Sequence, residues 1–358
     1  MSKKIIKMGI VGCGRVAQHY KNIFETNRVK DLSVVACCDI DNKKATEMAR
    51  TFSAKSYIDF NIMFSENDLD IVAILTESGN HYEHIKLALK RGFHVIAEKP
   101  ITLIPEQAYE LEYFAKKENL YLEAVFQNRF NPAIIKLKKT LDSGRLGKII
   151  SASIRLRWCR YQDYYEDGWH GTWAMDGGVI NQQAIHHIDA LNWLCGPVES
   201  VAAKSANRLN NLEAEDTMVA AIKFDSGALG TIEATTAARP DDFEASLSIV
   251  GEGGMVVIGG VALNQIEIWS FVEPIPEDKD VILKYSQEVP SGYGLGHIPL
   301  LQELVSRLQS GNMTPILSAS KAAKAIELVH ALYSSIEKKS WVNLSDKPQS
   351  EKLGKIFN

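Results

Sequence analysis

The chain has little that would place it in a specialised class. Its 358 residues include only five cysteines, Cys13, Cys37, Cys38, Cys159 and Cys195. The number is odd and no pair has zinc-type spacing, which argues against a disulfide framework or a structural zinc module. Buried, reduced thiols are the expectation, and no metal site is expected. No apolar run is long enough to cross a bilayer. The opening Met1-Ser2-Lys3-Lys4-Ile5 leads into a strand, without the apolar core and small-residue cleavage site of a secretory signal. A cytoplasmic protein with no membrane partner is expected. Excess charge is also small, with 40 Lys and Arg against 44 Asp and Glu and a net charge of −4. That excludes a general affinity for nucleic acid or anionic surfaces. Internal repeats and low-complexity segments are lacking. What remains is an ordinary globular composition, 46% hydrophobic and 23% charged, with a length suited to two domains.

The first third alternates two kinds of segment. Continuous apolar runs at Ile5–Val11, Leu32–Cys38, Ile71–Leu75, Phe93–Ala97 and Tyr121–Val125 read as strands. Between them, Arg15–Thr26, Lys43–Phe52, His81–Lys90 and Pro105–Lys117 read as helices. Strands apolar on both faces, joined by helices, predict a doubly wound parallel sheet of the Rossmann type, assigned to residues 1–128. Beyond it, Pro132 stands at the first position of a helix expected to end near Ser143-Gly144. Ile149–Trp158, Thr217–Phe224, Ala228–Ala234, Ala245–Val250 and Gln265–Trp269 then alternate apolar with polar residues. They predict an α+β domain over 129–358, with a mainly antiparallel sheet packed on one face and open on the other. Helices at Leu300–Leu308 and Ala322–Ile336 close the chain.

Gly12-Cys13-Gly14-Arg15-Val16-Ala17 fits G-x-G-x-x-A between a strand and a helix. Gly12 allows the tight turn, Gly14 lets the backbone approach a pyrophosphate, and Ala17 permits close helix–strand packing. The helix N-terminus, with Arg15 and Val16, then faces the pyrophosphate. Asp39 ends the second strand, where a carboxylate binds ribose hydroxyls and repels a 2′-phosphate. NAD is therefore expected over NADP. Thr76 and Ser78 follow another strand at its carboxyl end and are candidate cofactor contacts. His81 either reaches the cofactor or starts the next helix.

Two stretches carry the chemistry. Glu98-Lys99-Pro100 puts a lysine at the end of a buried strand, with Pro100 biasing Lys99 to an extended conformation. Lys99 either pairs with Glu98 alone or holds a substrate hydroxyl. Further on, His186 and His187 stand in an otherwise apolar helix pattern. Neighbours on a helix point ~100° apart, so only one faces a given ligand. Gln182 shares a face with His186 and can orient its ring; Gln183 belongs with His187; Asp189 is a second candidate partner for His186. A histidine base taking a hydroxyl proton is one reading, and a satisfied core histidine is the other. The aromatic loop with Arg160, Tyr164, Tyr165, Trp169 and Trp173 is either a domain edge or a platform for a sugar and a base. In the second case Arg160 would pair with phosphate.

Taken together, the glycine motif, Glu98-Lys99-Pro100 and the glycine pair leading to His186 and Asp189 resemble the glucose–fructose oxidoreductase/inositol dehydrogenase/MocA family. In that family the lysine and histidine line the active site, which implies catalytic roles for Lys99 and His186. More closely, Tyr164-Tyr165, Gly168-Trp169-x-Gly171-Thr172-Trp173, Asp176-Gly177-Gly178, Gln183-x-x-His186, Gln127-Asn128-Arg129, Glu215-Asp216-Thr217 and Tyr293-Gly294-x-Gly296-His297 look like UDP-N-acetyl-2-amino-2-deoxyglucuronate 3-dehydrogenases. The resemblance implies NAD as cofactor and oxidation of the C3 hydroxyl of a UDP-sugar in surface-polysaccharide biosynthesis. It implies a homotetramer built through the open sheet faces, and 2-oxoglutarate as a candidate hydride acceptor. It places Glu98, Lys99 and Gln127 at the cofactor. Lys99, Asn128, Arg129, Arg160, Tyr165, Trp169, Gln182, Gln183 and His186 fall at the substrate. Two residues depart from the pattern. Gln182 stands where the subgroup has asparagine, and His170 where it has arginine. The second departure bears on whether the sugar is a uronate or UDP-N-acetylglucosamine itself. Free-sugar or inositol dehydrogenases, and a non-catalytic sensor on the same fold, are the alternatives.

Overall fold

The computed structural model describes residues 4–355, which form two compact units. One takes residues up to Phe126 together with His297–Ala323; the other takes Gln127–Gly296 and the segment from Lys324 onward. Where one break after residue 128 is expected, the chain passes between the units three times, and 297–323 returns to the first. A buried carboxylate anchors that return. Glu123, on the last strand of the first sheet, accepts the backbone N–H groups of Ile316 (2.8 Å) and Leu317 (2.7 Å) and the Tyr121 hydroxyl. Burial pushes its carboxyl up to about 7, even with these donors favouring the charged form.

The first unit is built on β1 (Ile6–Val11), β2 (Leu32–Cys38), β3 (Lys55–Tyr57), β4 (Ile71–Ile74), β5 (His94–Ala97) and β6 (Leu122–Ala124). They lie in the order β3-β2-β1-β4-β5-β6, every pair parallel. This is a Rossmann-type sheet whose order reverses between β1 and β4, the place where such sheets bind ligands. The register brings the strand ends level, pairing Val11 with Cys38 and Ile74, and Ile74 with Ala97. Gly12, Asp39, Thr76 and Glu98 consequently emerge along one edge. The helix Arg15–Glu25 buries Ala17, Tyr20 and Ile23 on its inner side. Asp41 caps the helix Asn42–Phe52 by accepting from Lys43 N and Lys44 N. Neither β3 nor the helix Phe60–Glu66 is foreseen by the apolar runs, because both are short and β3 is mostly exposed.

The second unit carries β7 (Ile149–Arg157), β8 (Val198–Ala206), β9 (Thr217–Phe224), β10 (Leu229–Thr235), β11 (Glu244–Gly251), β12 (Gly254–Gly259), β13 (Gln265–Phe271) and β14 (Val342–Asn343). The order is β13-β12-β11-β7-β10-β9-β8-β14. Pairing is antiparallel except for β7 with β10, which run parallel, so the sheet is mixed. Alternation does what the sequence pattern predicts. Ala152, Ile154, Leu156, Met218, Ile222, Ile232 and Ala234 point to the core, and the helix Ile185–Cys195 packs on β7. On the opposite face Val219 and Leu229 stay exposed beside a charge ladder, Arg157 to Glu233 (2.7 Å) and Arg155 to Glu244 (3.2 Å). The cysteines are all free; Cys13, Cys37, Cys38 and Cys195 are buried, and Cys159 is half-buried. No helix among the described residues is long and apolar enough to cross a membrane. No cluster of His, Cys, Asp and Glu among those residues could hold a metal ion.

Candidate active site

The first unit supplies a dinucleotide cradle. Gly12 has φ +92°, and a Cβ there would lie 2.7 Å from the Leu75 carbonyl carbon and oxygen. Only glycine fits that turn. At Gly14 nothing lies within 4 Å of where a Cβ would be, so the open N-terminus of the helix has room for a phosphate. Asp39 spans the turn, with Oδ2 accepting Cys13 N and Oδ1 accepting Asp41 N, both at 2.8 Å. These bonds hold the carboxylate at the strand end while each oxygen keeps a lone pair for ribose hydroxyls. These features fit NAD. Asp39→Ala should therefore narrow the preference for NADH over NADPH, because ribose binding and 2′-phosphate repulsion vanish together. Fluorescence titration of both cofactors checks it; an unchanged ratio would remove Asp39 from the selectivity.

Thr76 bonds His84 Nδ1 (2.9 Å), and Ser78 is buried in the following turn. His81 does not reach outward as a cofactor contact. It is buried, with Nδ1 2.7 Å from the Pro100 carbonyl and Nε2 3.0 Å from the Thr76 carbonyl. It ties the Thr76 loop to the Glu98-Lys99-Pro100 turn, and burial lowers its pKa.

Glu98 is buried and does more than neighbour Lys99. Its Oε1 accepts from His297 Nε2 (2.9 Å) and the Tyr20 hydroxyl (3.3 Å), and its Oε2 from Lys99 N (3.3 Å). Against desolvation, the His297 imidazole and the Lys99 charge hold the Glu98 carboxyl below the usual carboxylate range. His297 also meets His19 Nε2 through Nδ1 at 3.2 Å. The backbone at Lys99 is thus fixed by side chains from the dinucleotide helix and from the returning segment. These partners are distant in sequence, and no local signal points to them.

In the second unit, the turn Gln127–Phe130 and the helical run Val179–Cys195 carry most of the candidates. Gln127 donates through Nε2 to the Tyr293 carbonyl (3.4 Å), and Asn128 is buried. Arg129 faces Asp189. Its guanidinium forms a two-pronged pair with Asp189, at 2.7 and 2.6 Å, and stacks on Trp193. Asp189, a candidate partner of His186 by sequence, is thus the partner of Arg129. Burial raises the Asp189 carboxyl above its ordinary value while Arg129 draws it back down.

Arg160 is similarly committed, to Asp242 (2.9 Å) and the Cys159 carbonyl (2.6 Å), with its plane near Trp158 and Tyr164. Tyr165 bonds Thr236 Oγ1 (2.7 Å), and burial pushes its hydroxyl up to about 12. Trp169 lies 3.6 Å from the His170 ring, whose Nδ1 meets Asp167 at 2.6 Å. Gln182 donates through Nε2 to the buried Asp176 (2.7 Å), which also accepts Gly171 N (2.9 Å). The loop bearing Trp169 and His170 is thereby tied to the turn before His186. Gln183 reaches the Tyr164 hydroxyl at 3.5 Å. His186 is 8% exposed and His187 only 1%.

Beneath this run, Glu215 accepts from Ile180 N (3.2 Å) and the Tyr333 hydroxyl (3.1 Å), and Gly178 leaves the space it needs. Burial pushes the Glu215 carboxyl up to about 8. A carboxyl with a raised folded pKa contributes its full stability below its unfolded value. That contribution is lost as pH rises toward about 8. Glu215→Gln should therefore flatten the fall in stability between pH ~4.5 and ~8, by a few kcal/mol at the alkaline end. Urea midpoints across that range decide it; parallel curves for the two proteins would sink the assignment.

A Rossmann cradle selecting NAD, followed by an α+β unit with an open-faced mixed sheet, defines a class of two-domain nicotinamide oxidoreductases. Residues 6–125 match the oxidoreductase family with an NAD-binding Rossmann fold, and residues 134–257 match the GFO/IDH/MocA C-terminal domain. The chain belongs to the glucose–fructose oxidoreductase/inositol dehydrogenase/MocA family, and is an NAD-dependent enzyme acting on a CH–OH group. Two similar solved structures are WlbA dehydrogenases in complex with NADH and UDP-GlcNAcA. That from Chromobacterium violaceum is 34% identical, with TM-score 0.87, covering 96% of this chain and 97% of that one. That from Bordetella pertussis is 32% identical, with TM-score 0.90, covering 96% and 99%. D-glucoside 3-dehydrogenase of Escherichia coli is 29% identical over 259 residues, 66% of this chain and 72% of its own.

Proposed function

We propose that the protein oxidises the C3 hydroxyl of a UDP-linked N-acetyl sugar, either the uronate or UDP-N-acetylglucosamine, during surface-polysaccharide synthesis. The observation that carries this reading is likeness along nearly the whole chain to two enzymes held with NADH and UDP-GlcNAcA. Gly12, Gly14 and Asp39 would hold NAD, which takes up the hydride from the alcohol carbon when bound. His186 would accept the hydroxyl proton at its imidazole. Lys99 would donate a hydrogen bond to the same oxygen and lower the cost of its developing negative charge. Lys99 and His186 together speak against a non-catalytic sensor. 2-Oxoglutarate is the proposed acceptor for re-oxidising the cofactor in place.

Purified protein with NAD and a panel of UDP-sugars should give the absorbance of reduced nicotinamide. Silence with every UDP-sugar, and reduction with a free glucoside, would favour the second reading. That reading, a free-sugar dehydrogenase, is supported by the likeness to D-glucoside 3-dehydrogenase.

Assembly as a homotetramer belongs to the same proposal. The exposed sheet face combines apolar Val219 and Leu229 with charges of both signs, a surface that a second copy can complement. Light scattering at micromolar concentration should give four times the chain mass, and a monomer mass would reject it.

A further inference from the structure

Five side chains close a ring on the helix face next to that of His186. Trp158 stands edge-on to His187, with centroids 6.5 Å apart and planes at 86°. The Arg160 guanidinium lies 5.1 Å from the Trp158 ring and 5.5 Å from that of Tyr164. The Tyr164 hydroxyl accepts from Gln183 Nε2 at 3.5 Å. Gln183 and Ala184 are both in the right-handed helical region, which places Gln183 about one turn before His187.

Three members of this ring keep buried polar atoms that the others do not satisfy. Trp158 is 8% exposed, Gln183 5% and His187 1%. Even so, Trp158 Nε1, Gln183 Oε1 and both ring nitrogens of His187 lack a hydrogen-bond partner. Native interiors rarely leave one such atom unpaired, and here they gather within a single circuit. Arg160 frames the ring and is anchored through Nη1, which donates to Asp242 and the Cys159 carbonyl.

The unpaired atoms also define what they would accept. Burial lowers the His187 pKa to about 4, so the ring is neutral near pH 7 and offers one donor and one acceptor. Trp158 Nε1 only donates, and Gln183 Oε1 only accepts. The set is uncharged, with two donors and two acceptors. A phosphate or carboxylate would confront the two acceptors. A secondary amide pairs three of the four, its carbonyl accepting from both donors and its single N–H donating to one acceptor.

We propose that the Trp158–Gln183–His187 ring is the recognition site for the acetamido group of the substrate. The assignment rests on the nucleotide-sugar reading above. The acetamido carbonyl accepts from Trp158 and the His187 N–H, and the acetamido N–H donates to Gln183. His187 points ~100° away from His186, so the two would meet different groups of one sugar, the acetamido substituent at C2 and the hydroxyl at C3. A uracil imide has similar chemistry but lies two phosphates away from the reacting carbon.

The test is calorimetric titration of the NADH-loaded, full-length enzyme with UDP-N-acetylglucosamine, UDP-glucose, UDP and CDP. Wild type should bind the acetamido sugar ~10²-fold tighter than UDP-glucose, because a hydroxyl leaves polar atoms of the ring unpaired. Trp158→Phe, which removes the donor and part of the ring but keeps an aromatic side chain, and His187→Phe should each cut that ratio ~10-fold by weakening the acetamido sugar alone. Circular dichroism verifies the fold of each variant. Equal affinity of wild type for the two sugars overturns the proposal. So do variants that gain thermal stability with an unchanged ratio, since the ring then holds water only. A variant that loses instead the preference for UDP over CDP places the uracil there and equally overturns it. Failure of wild type to bind any UDP ligand refutes the nucleotide-sugar reading itself, a result distinct from the others.

Discussion

His186→Ala and Lys99→Ala are each expected to lower kcat by ~10²–10⁴-fold while NADH still binds. A secondary alcohol gives up its proton reluctantly near neutral pH, so hydride departure needs a base aimed at the oxygen. Histidine, with an ordinary pKa near ~6.5, can accept that proton. Lysine stays cationic unless desolvated, so its contribution is to stabilise the charge developing on the same oxygen. The double variant should lose less than the product of the two single losses, because both groups act on one proton transfer. His187→Phe should cost far less in kcat than His186→Ala. Steady-state turnover, with NADH titration as a folding control, reads all four proteins. Near-normal turnover in His186→Ala would show that the wrong histidine has been assigned.

Arg129→Ala is expected to cost stability more than activity, by ~3–5 kcal/mol. The Arg129 and Asp189 side chains are only 17% and 4% exposed, and two hydrogen bonds join them. Removing the guanidinium leaves a carboxylate buried without its counter-charge, which costs far more than a surface pair is worth. Replacing both residues, as in Arg129→Leu/Asp189→Leu, should recover much of the loss, because no charge is then stranded. Arg129→Lys should recover less, since an ammonium cannot make the two-pronged contact. Urea midpoints measure these effects. A loss under ~1 kcal/mol in Arg129→Ala, with a raised KM, would return Arg129 to substrate binding.

Much of the architecture is legible in the chain because periodicity reports burial directly. β1, β2, β4 and β5 are buried on both faces and therefore read as continuous apolar runs. β9 and β10 are buried on one face and alternate. The dinucleotide motif is legible for a related reason: Gly12, Gly14 and Ala17 are demanded by one tight turn, within six residues. Among the elements that escape notice are β3, β8, β12, β14, the helix Phe60–Glu66 and the helix Asp278–Tyr285. They are short, exposed or polar enough that no single period dominates.

Side-chain partnerships follow a different rule. By itself the sequence determined that a parallel α/β sheet precedes a half-open sheet, that the first turn accepts a dinucleotide, and that Lys99 and His186 are the residues to suspect. The first two rest on spacing within a few residues, which local sterics and burial dictate, and the third on the family resemblance of the motifs around Lys99 and His186. Tertiary structure alone decided that Arg129 belongs to Asp189, that Gln182 is held by Asp176, and that His81 ties two loops together. It also decided that Glu98 is gripped by His297, that residues 297–323 return to the first unit, and that Trp158 faces His187. Each of these is a pairing of buried polar groups. Such groups take whatever partner the fold brings within ~3 Å, and sequence distance carries no information about which one that will be.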